Sequence, residues 1–559
     1  MWQKKEHNVG LEEIFLERGL HKLVARLLSQ RNVSPEELDV FLSAEYKNIS
    51  APHTLKGTKE AALIFCTAIK SKKSIAVIGD YDADGVVSSV MIQTLCRALN
   101  YDCKVFIPSR LEHGYGLNPK TLAAFKEFVQ DPPDLLMVLD SGSNNDKEIR
   151  ELKDFGVKQI IIIDHHIYDP EKISKSADVL INWRLCDCHE MCTCGEVYQF
   201  IRAIRKLTTR INPIEFLSYA AIGTLADVTP VVGDNRIIVK NGLLPSTLNS
   251  IVASGLNSLL RHSKLLPAHL VQEDVLFKVA PKINAVGRLF DPRAVFTLLM
   301  EQNHDLADKM AESVDEYNTK RKQIQKQIEE EAKTIASNKN FEHGILLHKN
   351  DWHIGVVGIV ASKVLETYHK PTIIVGQHNG ILKGSGRSLP GINLAEVLNG
   401  CSDVFEEYGG HDLAVGVTLK NDCADVAGEA FNEACREYYE THSFELSEIK
   451  YYDAELKPSS VNVKTADLIK DALYPYCPQN NPDPVFRLSN VVVSTADVRE
   501  GEHWRLLKFE VEGVDFTFAW FTMNYGSELQ GRTVDVYFKF PQKWGRYSQL
   551  NVTDIVVKE

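Results

Sequence analysis

The sequence predicts an α/β protein of several domains: a parallel-sheet domain, a second α/β domain joined to it by one long helix, and a C-terminal β-barrel. Three observations lead there. Four short apolar runs between residues 75 and 163 alternate with helix-like segments, the pattern of βαβ units on a parallel sheet. Residues 305–337 keep helical spacing without a break and are highly charged, with Lys320-Arg321-Lys322 and Glu329-Glu330-Glu331 among them. A helix polar on most faces suits a bridge between domains. Beyond residue 450, short alternating segments are separated by turn signals such as Glu512-Gly513 and Gln530-Gly531, as in a small barrel.

In chain order, residues 1–50 form a helical lead, in which Leu11, Ile14, Phe15, Leu20, Leu23, Val24 and Leu27 recur at helical spacing. Residues 51–300 form the first domain. Its expected strands are 75–78, 103–107, 135–139 and 160–163, its expected helices 86–99, 119–129 and 146–155, and a more helical region follows from 196. The connecting helix occupies 301–340. Residues 341–449 form the second α/β domain, with strands at 344–347 and 372–375 around a helix at 358–368. Residues 450–559 hold strands at 486–493, 505–511, 516–520, 533–540 and 549–557, for which an OB-fold is the expected barrel.

At 559 residues the chain exceeds one ordinary core, so roughly three domains are expected. No apolar run approaches the ~20 residues that span a bilayer. The first residues carry no apolar signal-like region, so a cytoplasmic protein without membrane contact is expected. A net charge of −12 excludes a uniformly basic surface but leaves room for a local basic groove. The eleven cysteines lack the spacing of a small disulfide framework and read as reduced thiols. Cys186, Cys188, Cys192 and Cys194, with His189 among them, are zinc-ligand types at spacings tighter than common zinc sites; a zinc site and packed thiols both stay open.

The chemistry concentrates at strand ends. Asp164-His165-His166 follows the run at 160–163, placing three ligand types where open α/β sheets bind their ligands. Asp80-Tyr81-Asp82-Ala83-Asp84-Gly85 follows the first strand. A calcium-binding EF-hand loop shares this opening but needs Glu at its twelfth position, where Met91 stands. Asp140, before Ser141-Gly142-Ser143, ends the third strand, and Asp227 closes the apolar stretch Gly223-Thr224-Leu225-Ala226. Any one of these Asp residues reads as a helix N-cap. Together they converge on one cleft suited to two metal ions about 3.5–4 Å apart.

These motifs resemble the DHH phosphoesterase superfamily. Their ordered set resembles its RecJ single-stranded-DNA exonuclease family, through Ile107-Pro108-Ser109-Arg110, Gly114-Tyr115-Gly116-Leu117, the stretch from Pro281 to Leu289, the stretch from Trp352 to Ser362, Gly384-Ser385-Gly386-Arg387-Ser388 and Gly409-Gly410-His411. The second α/β domain then resembles a DHHA1 domain. The resemblance implies two divalent cations, Mn²⁺ or Mg²⁺, with Asp80 and Asp82 on one, Asp84, His165 and Asp227 on the other, and Asp140 bridging. Asp82, Asp84, Asp140, His165, His166 and Asp227 are the implied catalytic set. His166 is open between touching the scissile phosphate, moving a proton and orienting a neighbour.

Arg110, Arg288 and Arg387 are candidate phosphate holders, because a guanidinium grips phosphate bidentately. Asn284 lies in the same motif as Arg288. Ser385 and Ser388, on an expected Gly-rich turn, would add donors, and His353 and His411 would close the cleft. On the barrel, Lys539, Lys543 and Arg546 would meet the DNA backbone. Of Trp504, Phe516, Phe518, Trp520, Phe521, Tyr537, Phe538, Trp544 and Tyr547, two or three would stack on bases. The sequence departs from the family at Ile78, where some members carry His, at Ser141-Gly142-Ser143, where Asn-Gly is common, and in the Cys-rich segment.

The resemblance implies a hydrolase that degrades single-stranded DNA from the 5′ end to 5′-mononucleotides in DNA repair and recombination. It would act as a monomer, with a single-strand-binding protein or a helicase as further candidate partners. Two rivals remain. A DHH phosphodiesterase for cyclic dinucleotides or short oligonucleotides would need neither lead nor barrel. A catalytically silent replication scaffold would have lost metal ligands, which are intact here.

Overall fold

Five parallel strands form the first sheet, in the order Lys104–Phe106, Ile75–Ile78, Leu135–Leu139, Gln159–Ile163 and Val179–Ile181. The computed structural model describes residues 1–249, 254–339, 341–442, 449–501, 504–542 and 549–558. Side chains alternate across this sheet as the strand period requires. Val77, Met137 and Ile161 face the helix Ala83–Ala98, while Ile78, Val138 and Ile162 face Pro119–Val129 and Asp146–Phe155. Chain order reverses on either side of Ile75–Ile78, which opens a crevice at the carboxyl ends of that strand and Leu135–Leu139. The helices Thr193–Arg205 and Ile214–Ala226 pack on Ala83–Ala98 and bury it almost completely.

The helix His304–Asn338 belongs to two cores. Ala307, Ala311 and Val314 are buried in the first domain, whereas Ile328, Ala332 and Ala336 are buried against Leu347, Trp352 and Val360 of the second. At 1.5 Å per residue it spans about 50 Å.

The second sheet runs Phe405–His411, Ala414–Leu419, Ile381–Arg387, Thr372–His378, Ile345–His348, and only its last pair is parallel. The expected Gly-rich turn at 384–388 is therefore corrected: Gly384 to Arg387 lie within a strand. A Cβ on Gly384 would stand 2.7 Å from a Val375 methyl, and one on Gly386 would stand 2.6 Å from a Val415 methyl. Glycine is there for close packing.

Five strands, Phe486–Gly501, Trp504–Val511, Thr517–Phe521, Thr533–Lys539 and Gln549–Val557, close into a barrel when Thr533–Lys539 pairs back onto Phe486–Gly501. The parallel pairing of Thr517–Phe521 with Gln549–Val557 is consistent with an OB-fold. The helical lead packs on the barrel domain. Trp2–Lys4 pairs with Lys450–Tyr452, and Phe15, Val24, Leu27 and Leu28 share a core with Ile469, Leu473, Phe486 and Phe538. Only Ala44 and Ile49 join the first domain's core.

Phe518 and Phe538 are barrel core, Tyr537 is buried beneath the stacked Trp2 ring, Phe516 and Trp520 are half-buried, and Phe521 is exposed. Lys543, Trp544, Arg546, Tyr547 and the Trp504 side chain lie outside the described residues. Among the described residues, no helix is long and apolar enough to cross a membrane.

Candidate metal centre and phosphate cleft

Asp82 caps the helix Ala83–Ala98, its carboxylate accepting from the Asp84 and Gly85 N–H groups at 3.1 Å each. Asp84 accepts from Thr193 N at 2.7 Å and Cys194 N at 2.9 Å, the first N–H groups of the helix Thr193–Arg205. Two helix N-termini thus aim positive dipole ends at the cluster. The Thr193 hydroxyl donates to Asp140 Oδ1 at 3.0 Å.

Asp140 holds a left-handed backbone, φ 63°, and Val228, next to Asp227, does the same at 58°. That conformation is costly for a branched residue, and such strain collects at functional sites. His165 Nε2 lies 3.4 Å from Asp140 and 4.0 Å from Asp84, and its Nδ1 lies 3.9 Å from Asp227.

Three groups bring ligand atoms within 4.8 Å of one another: Asp80, Asp82 and Asp140; Asp84, His165 and Asp227; Asp140, His165 and His166. Burial and then neighbouring carboxylates push Asp80 and Asp140 well above the usual carboxylate range. Asp80 Oδ1 is buried with no hydrogen-bond donor. Cations would answer both the repulsion and the orphaned oxygen, so the donor set fits two divalent metal ions.

The Asp-His-His tripeptide divides its labour. Asp164 is not with the ligands: it is buried, and accepts from Ser143 N at 2.9 Å. It also holds His166 Nδ1 at 2.7 Å, leaving the other ring nitrogen 2.9 Å from the Tyr115 hydroxyl. Burial pulls the His166 imidazole down, but the Asp164 contact outweighs it and lifts the ring to about 9.

The cysteines support the site as thiols. Among the described residues, no cysteine belongs to a group of three ligands within reach, and His189 turns to Glu37 at 3.7 Å. Cys192 and Cys194, both buried, flank Thr193 at the helix start that seats Asp84. Ile78 is buried in the apolar core, and the ligand groups close without it.

Beside the metal cluster, a cleft of about 1130 Å³ separates the two α/β domains. Arg110, Tyr115 and Arg288 line one wall, and Lys383, Ser385 and Arg387 the other. Arg110 lies over the Tyr81 ring, and Arg387 Nη1 donates to Ser385 Oγ at 2.9 Å. Burial and then Arg110 lower Arg288 to about 10 and also lower Arg387. Among the described residues, none of these three arginines has a carboxylate partner in ion-pair contact. Their mutual repulsion is relieved by a bound anion.

The remaining candidates take other roles. Asn284 accepts from Ala83 N at 2.8 Å and props the start of the metal-site helix. Ser388 is buried, its hydroxyl donating to Ile392 O at 3.0 Å. His353 Nδ1 accepts from Gly355 N at 3.0 Å. His411 ends an exposed edge strand and is itself outside the cleft lining, and Lys539 lies on the barrel near half-buried Asp483. Sequence reasoning missed Thr193 and Tyr115 as functional residues. Tyr115 stood inside a quoted motif, whereas Thr193 was hidden between two cysteines.

Residues 74–224 match the DHH family N-terminal domain, and residues 339–440 match the DHHA1 domain. The single-stranded-DNA-specific exonuclease RecJ of Haemophilus influenzae is 30% identical over 476 residues, covering 80% of each chain. The chain belongs to the RecJ family. The RecJ of Bacillus subtilis is 35% identical over 405 residues, 71% of this chain and 50% of its own length. A crystal structure of RecJ in complex with Mn²⁺ from Thermus thermophilus shares the fold, with a TM-score of 0.80 at 24% identity over 99% of this chain and 78% of that one. The RecJ match spans the lead, both α/β domains and the barrel.

Proposed function

We propose that the chain is a metal-dependent exonuclease that degrades single-stranded DNA from its 5′ end, releasing 5′-mononucleotides in DNA repair and recombination. The observation that carries this is the convergence, beside one cleft, of three overlapping groups of ligand atoms, linked through Asp140 and His165, with three arginines that among the described residues have no carboxylate in ion-pair contact. Asp80 and Asp82 would hold one cation, Asp84, His165 and Asp227 the other, and Asp140 both. When bound, two such ions supply Lewis acidity to the phosphodiester and to water.

The protein's own groups do the rest. Arg110, Arg288, Arg387 and Ser385 grip phosphates along the cleft. Asp164 fixes His166 with one ring N–H toward the reacting phosphate. Thr193 and two helix ends hold the carboxylates in place before substrate arrives. The barrel, through Lys539, Lys543, Arg546 and its exposed aromatics, guides the strand. One chain carries the whole ligand set, which supports action as a monomer; its proposed place of action is the cytoplasm, with a single-strand-binding protein or a helicase as the partner that presents the DNA.

The test is to incubate the protein with Mn²⁺ or Mg²⁺ and end-labelled single-stranded DNA, duplex DNA or a cyclic dinucleotide. Stepwise loss of mononucleotides from the 5′ end of the single strand alone is the expected result. Preference for the cyclic dinucleotide, or no metal-dependent cleavage, would overturn it.

A further inference from the structure

Besides the hydrogen bonds of Gln542 with Gln272 and Glu273, the barrel domain is fastened to the metal-bearing domain by a buried arginine that no catalytic role explains. Arg236 lies on the helix Gly233–Gly242, soon after the Asp227 loop, and is 1% exposed. Its Nε donates to Phe41 O at 2.8 Å, in the lead. Nη1 donates to Leu473 O at 2.9 Å and Pro475 O at 3.2 Å, and Nη2 to Ala472 O at 3.1 Å and Tyr474 O at 2.8 Å. The guanidinium also stacks 3.9 Å from the Phe41 ring centre. Four of the five acceptors lie at the C-terminal end of the helix Val463–Leu473, where carbonyls lack intrahelical partners and the dipole favours a cation, and Asn481 Nδ2 also donates to Leu473 O and Pro475 O; the fifth, Phe41 O, lies in the lead, which shares the core of the barrel domain.

The same contact reaches toward the metal cluster. Thr229 Oγ1 donates to Asp227 Oδ2 at 2.7 Å, and the Cys477 thiol lies 3.8 Å from Thr229 O. Asn235, beside Arg236, donates to Pro230 O at 2.8 Å. The segment from Ala472 to Cys477 therefore touches both Arg236 and the loop that carries Asp227.

We propose that Arg236 is a positioning residue that fixes the barrel domain at a set distance from the metal centre, so that a strand long enough to touch both is held by both at once. This rests on the nuclease reading above. Two linked sites gain their joint affinity only while geometry lets both engage. A short oligonucleotide that fits within the cleft gains nothing from the fastening.

The full chain and its Arg236→Lys and Arg236→Ala variants would be compared on a thymidine trinucleotide and a long oligothymidylate, both 5′-phosphorylated. Binding is read by fluorescence anisotropy in EDTA, and kcat and KM with Mn²⁺. Lysine offers three donors against five acceptors, so it should not rescue. Affinity for the long oligonucleotide should fall, and its KM rise, by on the order of tenfold or more, while kcat and KM on the trinucleotide stay within about twofold.

Equal losses at both lengths, or an unchanged affinity for the long strand, would overturn the proposal. Should Arg236→Ala fail to fold, Phe41→Leu removes the stacked ring but keeps its carbonyl. It should give the same length-selective loss in smaller measure, and a loss without length dependence would count against the fastening. If the unaltered protein neither binds nor cuts the long strand, the nuclease reading itself fails. If it does both and Arg236→Lys matches it at each length, only the fastening fails.

Discussion

Asp164 and His166, two residues apart, form a partly buried ion pair with His166 Nδ1 2.7 Å from Asp164 Oδ1. His165 turns the other way, to Asp140, Asp84 and Asp227. Adjacent histidines therefore turn to different partners, His165 to three carboxylates of the cluster and His166 to Asp164 and the Tyr115 hydroxyl.

Replacing Asp164 by Asn should lower kcat roughly 10- to 100-fold, as expected when a support for an active-site histidine is lost. The thermal shift on adding Mn²⁺ should persist, because Asp164 is in none of the ligand groups. Single-turnover cleavage beside a thermal melt checks both; an unchanged kcat would remove His166 orientation from the mechanism.

Asp140→Asn should abolish cleavage without lowering the melting temperature of the metal-free protein. Burial and then Asp82, Asp84 and Asp80 already disfavour the Asp140 charge there. In the unaltered protein, Mn²⁺ at a hundred times its dissociation constant should add about 2.7 kcal/mol of stability, most of which the variant should lose. Near-normal turnover would refute the bridging role.

Gly355 of the second α/β domain packs directly against the first, and a Cβ there would stand 2.1 Å from the Arg288 carbonyl oxygen. Gly355→Ala should push the cleft walls apart at a cost of about 1–3 kcal/mol. A raised KM for single-stranded DNA with an intact Mn²⁺ thermal shift is the expected signature. Unaltered KM would show that the cleft width is set elsewhere.

Glu331 anchors the long helix to the second domain, accepting from Lys349 Nζ and Trp352 Nε1 at 2.9 Å each. Those hydrogen bonds, Lys349 first, hold its carboxyl at about 2, below its ordinary 4.5. A depressed carboxyl stabilises the fold above the unfolded value, and that stability is lost as pH falls toward the folded one. The melting-temperature gap between the protein and Glu331→Gln should hold steady above about pH 4.5 and close toward about pH 2. A gap independent of pH would deny the charge a role.

The parallel sheet was legible because buried strands read as continuous apolar runs, Ile160 to Ile163 above all. The short edge strand Val179–Ile181 left no such run. Gly384 and Gly386 looked like a turn because the sequence does not show which side chains press on a glycine; Val375 and Val415 do. The ligand clusters were legible since each acid follows a strand or an apolar helix. Thr193 was not, because its role depends on a helix start meeting Asp140, 53 positions earlier in the chain. The docking of the lead was hidden for the same reason: Trp2 hydrogen-bonds to Asp554.

That last pairing has a bearing on how the molecule is made. The lead leaves the ribosome well before the barrel, and the partners of Phe15, Val24, Leu27 and Leu28 lie beyond residue 450. At about 5–20 residues per second, on the order of half a minute or more separates the two, during which both α/β domains are complete enough to close. An apolar stripe stays bare through that interval, open to chaperones and to neighbouring nascent chains. The barrel thus forms after both α/β domains, and the lead waits for it.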